Sequence, residues 1–157
     1  MKTSAIAKTL TARGLTLATA ESCTGGLIAH TLTNIPGSSA FLTGGIIAYA
    51  NTIKTRFLKV PDRMIKTHGA VSAAVAKAMA EGARKQFNVD LAIATTGIAG
   101  PAGGTDRKPV GLVFIALASR RHTIVKKCFF TGTRASIKTQ SSQTALGLLA
   151  QAVNRGF

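Results

Sequence analysis

Apolar residues follow two alternating patterns along the chain, one with helical spacing and one in short continuous runs. Helical spacing predicts helices over residues 3–13, 24–34, 52–58, 72–87 and 135–153. Short apolar runs predict strands over 15–20, 44–50 and 89–96, and a hairpin of strands over 110–118 and 122–131. The run at 89–96 is apolar almost throughout, so we expect it in the centre of a sheet. This order predicts an α/β fold: a single three-layer α/β/α domain over residues 1–157 with a mixed β-sheet.

Single residues predict how some of these elements begin or approach each other. Ser72 is a natural N-cap for the helix that follows it, and Asn51 can cap the helix at 52–58. Tyr49 lies where the strand at 44–50 is expected to end. The adjacent Gly44 and Gly45 indicate a bulge or a close backbone approach in that strand.

The turn between the first strand and the second helix carries the most informative polar residues. Ser22 and Cys23 lie on this turn, followed by Gly25 and Gly26. A nucleophile on such a turn is held rigidly beside the free N–H groups of a helix start. The alternative is a plain glycine-rich turn with a Ser or Thr cap, and the stretch alone leaves both interpretations open.

Charge and composition exclude several classes of protein. The net charge is +15, with 20 Lys and Arg against 5 Asp and Glu, and a surface of this kind attracts polyanions. The basic residues form no single stripe, so non-specific nucleic-acid binding is expected more than specific recognition. No apolar run is long enough for a membrane span and the N-terminus has no signal pattern, which predicts a soluble, cytoplasmic protein without a membrane partner.

The possible chemistry narrows by elimination. Cys23 and Cys128 lie far apart and are expected as free thiols. The three histidines have no metal-ligand spacing and no evident acidic partner, which disfavours a metal site and a Ser-His-Asp triad. A serine with a lysine base remains, provided that burial or nearby positive charge lowers the lysine pKa toward neutrality. These arguments do not choose among the lysines.

Several motifs together resemble one known family. They are Ala20-Glu21-Ser22-Cys23-Thr24-Gly25-Gly26, Pro36-Gly37-Ser38-Ser39, Tyr49-x-Asn51-x-x-Lys54, Leu58-x-Val60, His68-Gly69-Ala70-Val71-Ser72, Thr96-Gly97-Ile98-Ala99-Gly100-Pro101, Lys108-Pro109-Val110-Gly111 and Gly132-x-Arg134. In identity, order and spacing they resemble the CinA C-terminal domain family, from about residue 5 to 152. Larger members carry an additional N-terminal domain, and this chain resembles the stand-alone form.

The resemblance implies a nicotinamide-nucleotide amidase, which hydrolyses nicotinamide mononucleotide to nicotinate mononucleotide and ammonia without a metal or cofactor. Ser22 matches the nucleophile, Lys54 the general base and Tyr49 a catalytic-site tyrosine. The residues expected to bind substrate are Thr24, Gly25, Gly26, Asn51, Thr96, Gly97, Gly100, Thr105 and Arg134. Backbone N–H groups of Thr24, Gly25 and Gly26 are expected to bind the oxyanion. The expected partners are a nucleotide substrate and further copies of the chain in a homo-oligomer.

Two positions depart from the family pattern. Thr133 stands where an aspartate is usual, and Lys138 stands where a second arginine often follows Arg134. Together with the net charge, they favour an alternative function: a non-catalytic nucleotide- or nucleic-acid-binding protein linked to competence or DNA damage. The variant Lys54→Ala separates the two hypotheses: it should abolish turnover under the first and barely alter binding under the second.

Overall fold

The computed structural model describes residues 3–155, which contain α-helices and the strands of a β-sheet. The helices are α1 (Thr3–Ala12), α2 (Leu27–Thr33), α3 (Asn51–Leu58), α4 (Asp62–His68), α5 (Ala73–Phe87) and α6 (Arg134–Arg155). The strands are β1 (Leu17–Glu21), β2 (Leu42–Ile47), β3 (Leu91–Gly97), β4 (Leu112–Ala118) and β5 (Thr123–Phe129). Every predicted helix and strand is present, with boundaries shifted by a few residues.

The five strands form one mixed sheet in the order β2-β1-β3-β4-β5. Strands β2, β1 and β3 are parallel, whereas β4 and β5 form an antiparallel hairpin on β3. Because β1 and β3 are parallel neighbours, their carboxyl ends lie side by side, with Glu21 opposite Thr95. Such an edge is a frequent ligand site in α/β proteins.

Helices cover both faces of the sheet and bury two apolar layers. One layer joins α1, α2 and α6 to the sheet, and the other joins α3, α4 and α5 to it. The residues expected to face inward on α6 are all buried: Ile137, Leu146, Leu149 and Val153. Strand β3 is central and its first six residues are buried. The predicted three-layer α/β/α fold with a mixed sheet is therefore confirmed.

Three local expectations about chain boundaries are wrong. Helix α2 begins at Leu27 rather than at 24, because Gly25 and Gly26 have φ values of +63° and +96°, outside the helical region. Strand β2 ends at Ile47, so Tyr49 lies in the following loop rather than in the strand. Asn51 does not cap α3; it is the first helical residue, after an extended Ala50.

Two other local predictions are confirmed. Ser72 is the N-cap of α5, and its hydroxyl accepts a hydrogen bond from the Val75 N–H at 3.3 Å. The glycine pair in β2 marks both an irregular register and a close approach to β1. A Cβ atom on Gly45 would lie 2.2 Å from the Thr19 hydroxyl oxygen, a distance that only glycine avoids.

Candidate active site

A cleft of about 270 Å³ opens at the carboxyl ends of β1 and β3. The residues predicted for the site that line it are Ser22, Tyr49, Asn51, Lys54, Thr96, Gly97, Gly100 and Arg134. Four elements supply them: the turn after β1, the segment from β2 into α3, the end of β3 with its glycine-rich loop, and the first residue of α6. Residues far apart in sequence thus meet in one cleft.

The centre of the cleft holds a serine and a lysine in contact. The Lys54 ammonium nitrogen (Nζ) lies 3.1 Å from the Ser22 hydroxyl oxygen (Oγ), within hydrogen-bond distance. Lys54 is only 1% exposed and Ser22 is 8% exposed. Lysine is almost never buried to this degree, so its position requires specific partners.

Backbone carbonyl groups supply those partners. Lys54 Nζ donates to the carbonyl oxygens of Ala48 at 2.7 Å and of Tyr49 at 3.1 Å. The chain leaves β2 just before these residues, which explains why the strand ends at Ile47. None of the ion pairs found within residues 3–155 includes Lys54. Burial therefore lowers the pKa of Lys54, because the charged ammonium loses water without gaining an acidic partner.

The turn that carries Ser22 depends on a residue for which sequence analysis found no role. Glu21, the last residue of β1, is 1% exposed. Its carboxylate accepts hydrogen bonds from the Thr24 hydroxyl and from the backbone N–H groups of Gly26, Ile28 and Ala29. The available signal was an acid just before a helix start, where carboxylates are stabilising, in a chain with only 5 acidic residues.

Because of these contacts, the free N–H groups at the turn are not the three expected from the sequence. The N–H of Gly26 donates to Glu21, and the N–H of Gly25 donates to the Ser22 carbonyl oxygen at 3.1 Å. Among the described residues, the N–H of Thr24 has no acceptor, and the N–H of Cys23 has only its own thiol sulfur. Of the three donors expected for an oxyanion, only that of Thr24 is therefore free, but Thr24 is fully buried. Cys23 is the residue of this turn that lines the cleft beside Ser22.

An arginine connects the two rims of the cleft. The Arg134 guanidinium donates to the Tyr49 hydroxyl and to the Gly100 carbonyl oxygen, each at 2.8 Å. Tyr49 is 59% exposed, so its side chain belongs to the rim rather than to the interior. Arg134 is thus held at the cleft although Thr133 replaces the aspartate usual in the family.

Some predicted site residues do not line the cleft. Thr24 is fully buried behind the Ser22 turn, and Gly25 and Gly26 lie at the start of α2. Thr105 is exposed in the loop before β4, where its hydroxyl accepts from the Lys108 N–H. Thr105 is therefore not among the residues that line the cleft.

Cys23 is a poor rival to Ser22 as the nucleophile. It lines the cleft, but it is only 6% exposed, and burial raises the pKa of its thiol to about 11. The thiolate is the reactive form, and at neutral pH this thiol stays protonated. Cys23 and Cys128 are both free thiols, as expected.

Two further searches bear on other kinds of site. Within residues 3–155, no three His, Cys, Asp or Glu side chains are grouped so that they could hold a metal ion. In the same part of the chain, no helix has the length and apolar character needed to cross a membrane.

The fold and cleft agree with a match to a protein family. The family model for the CinA C-terminal domain matches residues 2–153. The chain therefore belongs to the CinA C-terminal domain family, which confirms the resemblance found in its motifs.

Relatives with related names support this assignment. The chain is 52% identical over 153 residues to a CinA-like protein of Syntrophus aciditrophicus and 53% identical over 145 residues to one of Geobacter sulfurreducens. These matches cover 97% and 92% of this chain but 36% and 35% of those proteins. The chain thus spans about a third of the length of these curated relatives.

Solved structures of similar length share the fold. The competence/damage inducible protein CihA from Agrobacterium tumefaciens is 42% identical, with a TM-score of 0.94 over 97% of this chain and 93% of that one. A CinA superfamily protein from Klebsiella pneumoniae is 34% identical, with a TM-score of 0.94 over 98% of this chain and 96% of that one.

Proposed function

We propose that this protein is a serine amidase that hydrolyses the carboxamide of nicotinamide mononucleotide to the carboxylate and ammonia. The observation that carries the proposal is the 3.1 Å contact between a buried lysine nitrogen and the Ser22 hydroxyl. A lysine can act as a general base only when it is neutral, and the lowered pKa of Lys54 increases its neutral fraction. A surface lysine lacks both properties.

In the acylation half of the reaction, Ser22 Oγ attacks the carboxamide carbon and neutral Lys54 takes its proton. The oxyanion of the tetrahedral intermediate accepts a hydrogen bond from the backbone N–H of Cys23, the residue after the nucleophile, which lines the cleft. The C–N bond then breaks. The leaving amide nitrogen takes the proton from the Lys54 ammonium and departs as ammonia, so Ser22 carries the nicotinoyl group as an ester.

The deacylation half repeats these steps with water as the nucleophile. Lys54, neutral again, takes a proton from water as the water oxygen attacks the ester carbon. The bond from carbon to Ser22 Oγ breaks and this oxygen recovers the proton from Lys54. The product leaves as a carboxylic acid that gives its proton to solvent and becomes the carboxylate, and the free enzyme has Ser22 and Lys54 in their starting states.

The walls of the cleft favour a substrate with a phosphate group and a flat ring. Of the described residues that line it, none is acidic, while Arg134 is cationic. Arg134 can bind a phosphate through two parallel hydrogen bonds after it releases Tyr49 and Gly100. Apolar side chains form another part of the lining, among them Ala70, Val71, Ile98 and Ala99. A phosphorylated pyridine carboxamide has both features.

The direct test is ammonia release from nicotinamide mononucleotide in the presence of EDTA. We expect turnover by the wild type and none by Ser22→Ala or Lys54→Ala. Lys66→Ala is the matched control, because Lys66 is exposed and pairs only with Asp62 on the surface, so its turnover should equal that of the wild type. A folded wild type that releases no ammonia, or full activity in Lys54→Ala, would contradict the proposal.

A second candidate function is polyanion binding at the exposed edge of the sheet. It is favoured by β5, where Lys126 and Lys127 are exposed and the Lys127 ammonium lies 5.1 Å from the centre of the exposed Phe129 ring. Cations beside an exposed aromatic ring suit phosphates and bases of single-stranded nucleic acid. Charge reversal, Lys126→Glu with Lys127→Glu, should then weaken salt-dependent RNA binding, whereas Lys54→Ala should leave binding unchanged.

A further inference from the structure

Glu21 is a buried charged group that the proposed reaction does not use directly. It makes no hydrogen bond to Ser22 Oγ or to Lys54 Nζ in the described part of the chain. We propose that Glu21 is a positioning residue, whose carboxylate ties the start of α2 to the end of β1 and so holds the Ser22 turn in its reactive geometry. This inference rests on the proposed amidase function.

The hydrogen bonds define the charge state of Glu21. One carboxylate oxygen accepts from the Thr24 hydroxyl at 2.7 Å and from the N–H groups of Gly26 and Ile28, each at 3.0 Å. The other accepts from the N–H of Ala29 at 2.8 Å. All four partners are donors, and only an ionised carboxylate accepts at both oxygens without presenting a proton of its own. Glutamine in its place would turn an NH₂ group toward one of these donors.

Glu21 also replaces the cap that α2 lacks. The N-cap residue of this seven-residue helix is Gly26, which has no side chain to accept from the first N–H groups. Glu21 accepts from three of the donors that a helix start leaves unpaired. Without it, these N–H groups would lose their acceptor. Because an unpaired buried donor is costly, the turn would then shift toward conformations in which these groups have other acceptors.

The turn between these two anchored ends has little freedom. At its start, the Ser22 N–H donates to the Thr95 carbonyl oxygen at 2.9 Å. In its middle, the Thr24 hydroxyl gives its proton to Glu21 and so accepts from the Thr95 hydroxyl at 2.8 Å. At its end, Gly26 is bound to Glu21. Glu21 thus fixes the end of the turn to its start and accepts from the N–H groups of Gly26, Ile28 and Ala29, but from neither Cys23 nor Thr24 N–H.

The test compares Glu21→Gln, which keeps the side-chain shape, with Asp90→Asn as a matched control. Asp90 accepts from Thr16 and Arg120 near the amino end of β3, away from the cleft. We expect Glu21→Gln to lower kcat about 100-fold, since small misplacements of reacting groups have effects of that size. KM and the midpoint of the pH–rate profile should not change, because the Glu21 carboxylate makes no hydrogen bond to Lys54 or to a residue that lines the cleft. The control should keep the wild-type kcat.

A second pair of variants covers the case in which Glu21→Gln does not fold. Thr24→Val removes the hydroxyl that joins Glu21 to Thr95, whereas Thr24→Ser keeps it. We expect about a tenfold fall in kcat for the valine variant and recovery in the serine variant. Equal kcat values in these two variants would overturn the inference.

The rate at which a fluorophosphonate labels Ser22 separates this inference from the proposed function. Rapid labelling of the wild type and slow labelling of folded Glu21→Gln would support the positioning role. Equally rapid labelling of both would overturn the role and leave the serine nucleophile in place. A wild type that is neither labelled nor active would overturn the proposed function, and the positioning role with it.

Discussion

Charged side chains lie at both ends of the β1–β3 strand pair, but their hydrogen-bond and ion-pair partners differ. At the amino end, Asp90 accepts from the backbone N–H and the hydroxyl of Thr16 and forms an ion pair with Arg120. At the carboxyl end, Lys54 is buried against neutral oxygens only. The first arrangement compensates a charge, and the second leaves one uncompensated.

The paired charge at the amino end is suited to stabilising the fold, whereas the unpaired charge at the carboxyl end is suited to catalysis. A paired carboxylate at an accessible position stabilises the fold and has little reason to change protonation state near neutral pH. A buried ammonium without an anionic partner is poised to lose its proton, which is what a general base requires. The comparison therefore predicts that substitutions at the carboxyl end change activity, whereas substitutions at the amino end change stability.

The largest expected effect is that of Lys54→Arg. A guanidinium remains protonated at any accessible pH, so it cannot take the Ser22 proton even if it keeps the positive charge. We expect kcat to fall by at least about 10⁴-fold, the size seen when one member of a catalytic unit is removed. The measurement is steady-state ammonia release, with circular dichroism to show that the variant is folded. Activity within tenfold of the wild type would remove Lys54 from the base role.

The pH dependence of kcat/KM gives a second test of the same contrast. The active form has neutral Lys54, so the rate should increase with pH and level off above the pKa of the Ser22–Lys54 pair. Because burial lowers the pKa of Lys54, the increase should be centred below the pKa of an ordinary lysine, about 10.4. A value of kcat/KM that increases only near the pKa of an ordinary lysine would contradict the lowered pKa of Lys54.

Arg134→Ala should have a smaller effect, confined to substrate binding. Loss of a charge-assisted contact with a phosphate corresponds to about 1.5–3 kcal/mol, or roughly 10- to 100-fold in KM. Nicotinamide riboside, which lacks the phosphate, serves as the internal control, because its KM should be the same for the variant and the wild type. An equal rise in KM for both substrates would instead assign Arg134 to the shape of the cleft.

Asp90→Asn should change stability alone and by the smallest amount. The Thr16 N–H, above all, lowers the pKa of Asp90 below its usual value. The carboxylate therefore stabilises the fold at pH values above about 3.9, and this contribution is lost as the pH falls through the lowered pKa. We expect a loss of about 1 kcal/mol at pH 7, measured by urea unfolding, with no change in turnover. The loss should shrink in acid, and a loss that persists there would indicate damage to packing instead.

The sequence predicted the architecture well because local patterns carry that information. Apolar spacing located all five strands and every helix except α4, and the Ser72 cap and the Gly44–Gly45 irregularity follow from chain geometry at single positions. It missed Glu21, whose four donors come from residues three to eight positions further along the chain. It also placed Tyr49 in β2. In the structure, Tyr49 follows the strand, and its carbonyl oxygen and that of Ala48 accept hydrogen bonds from the Lys54 side chain.

By itself, then, the sequence determined which segments form helices and strands, the presence of a polar turn after β1, and the family to which the chain belongs. Only the tertiary structure decided which lysine is buried against Ser22, which N–H groups at the turn remain free, and that Arg134 joins the two rims of the cleft. The physical reason is that periodicity is a local property, whereas burial, desolvation and hydrogen-bond partners arise only when distant segments share one sheet edge.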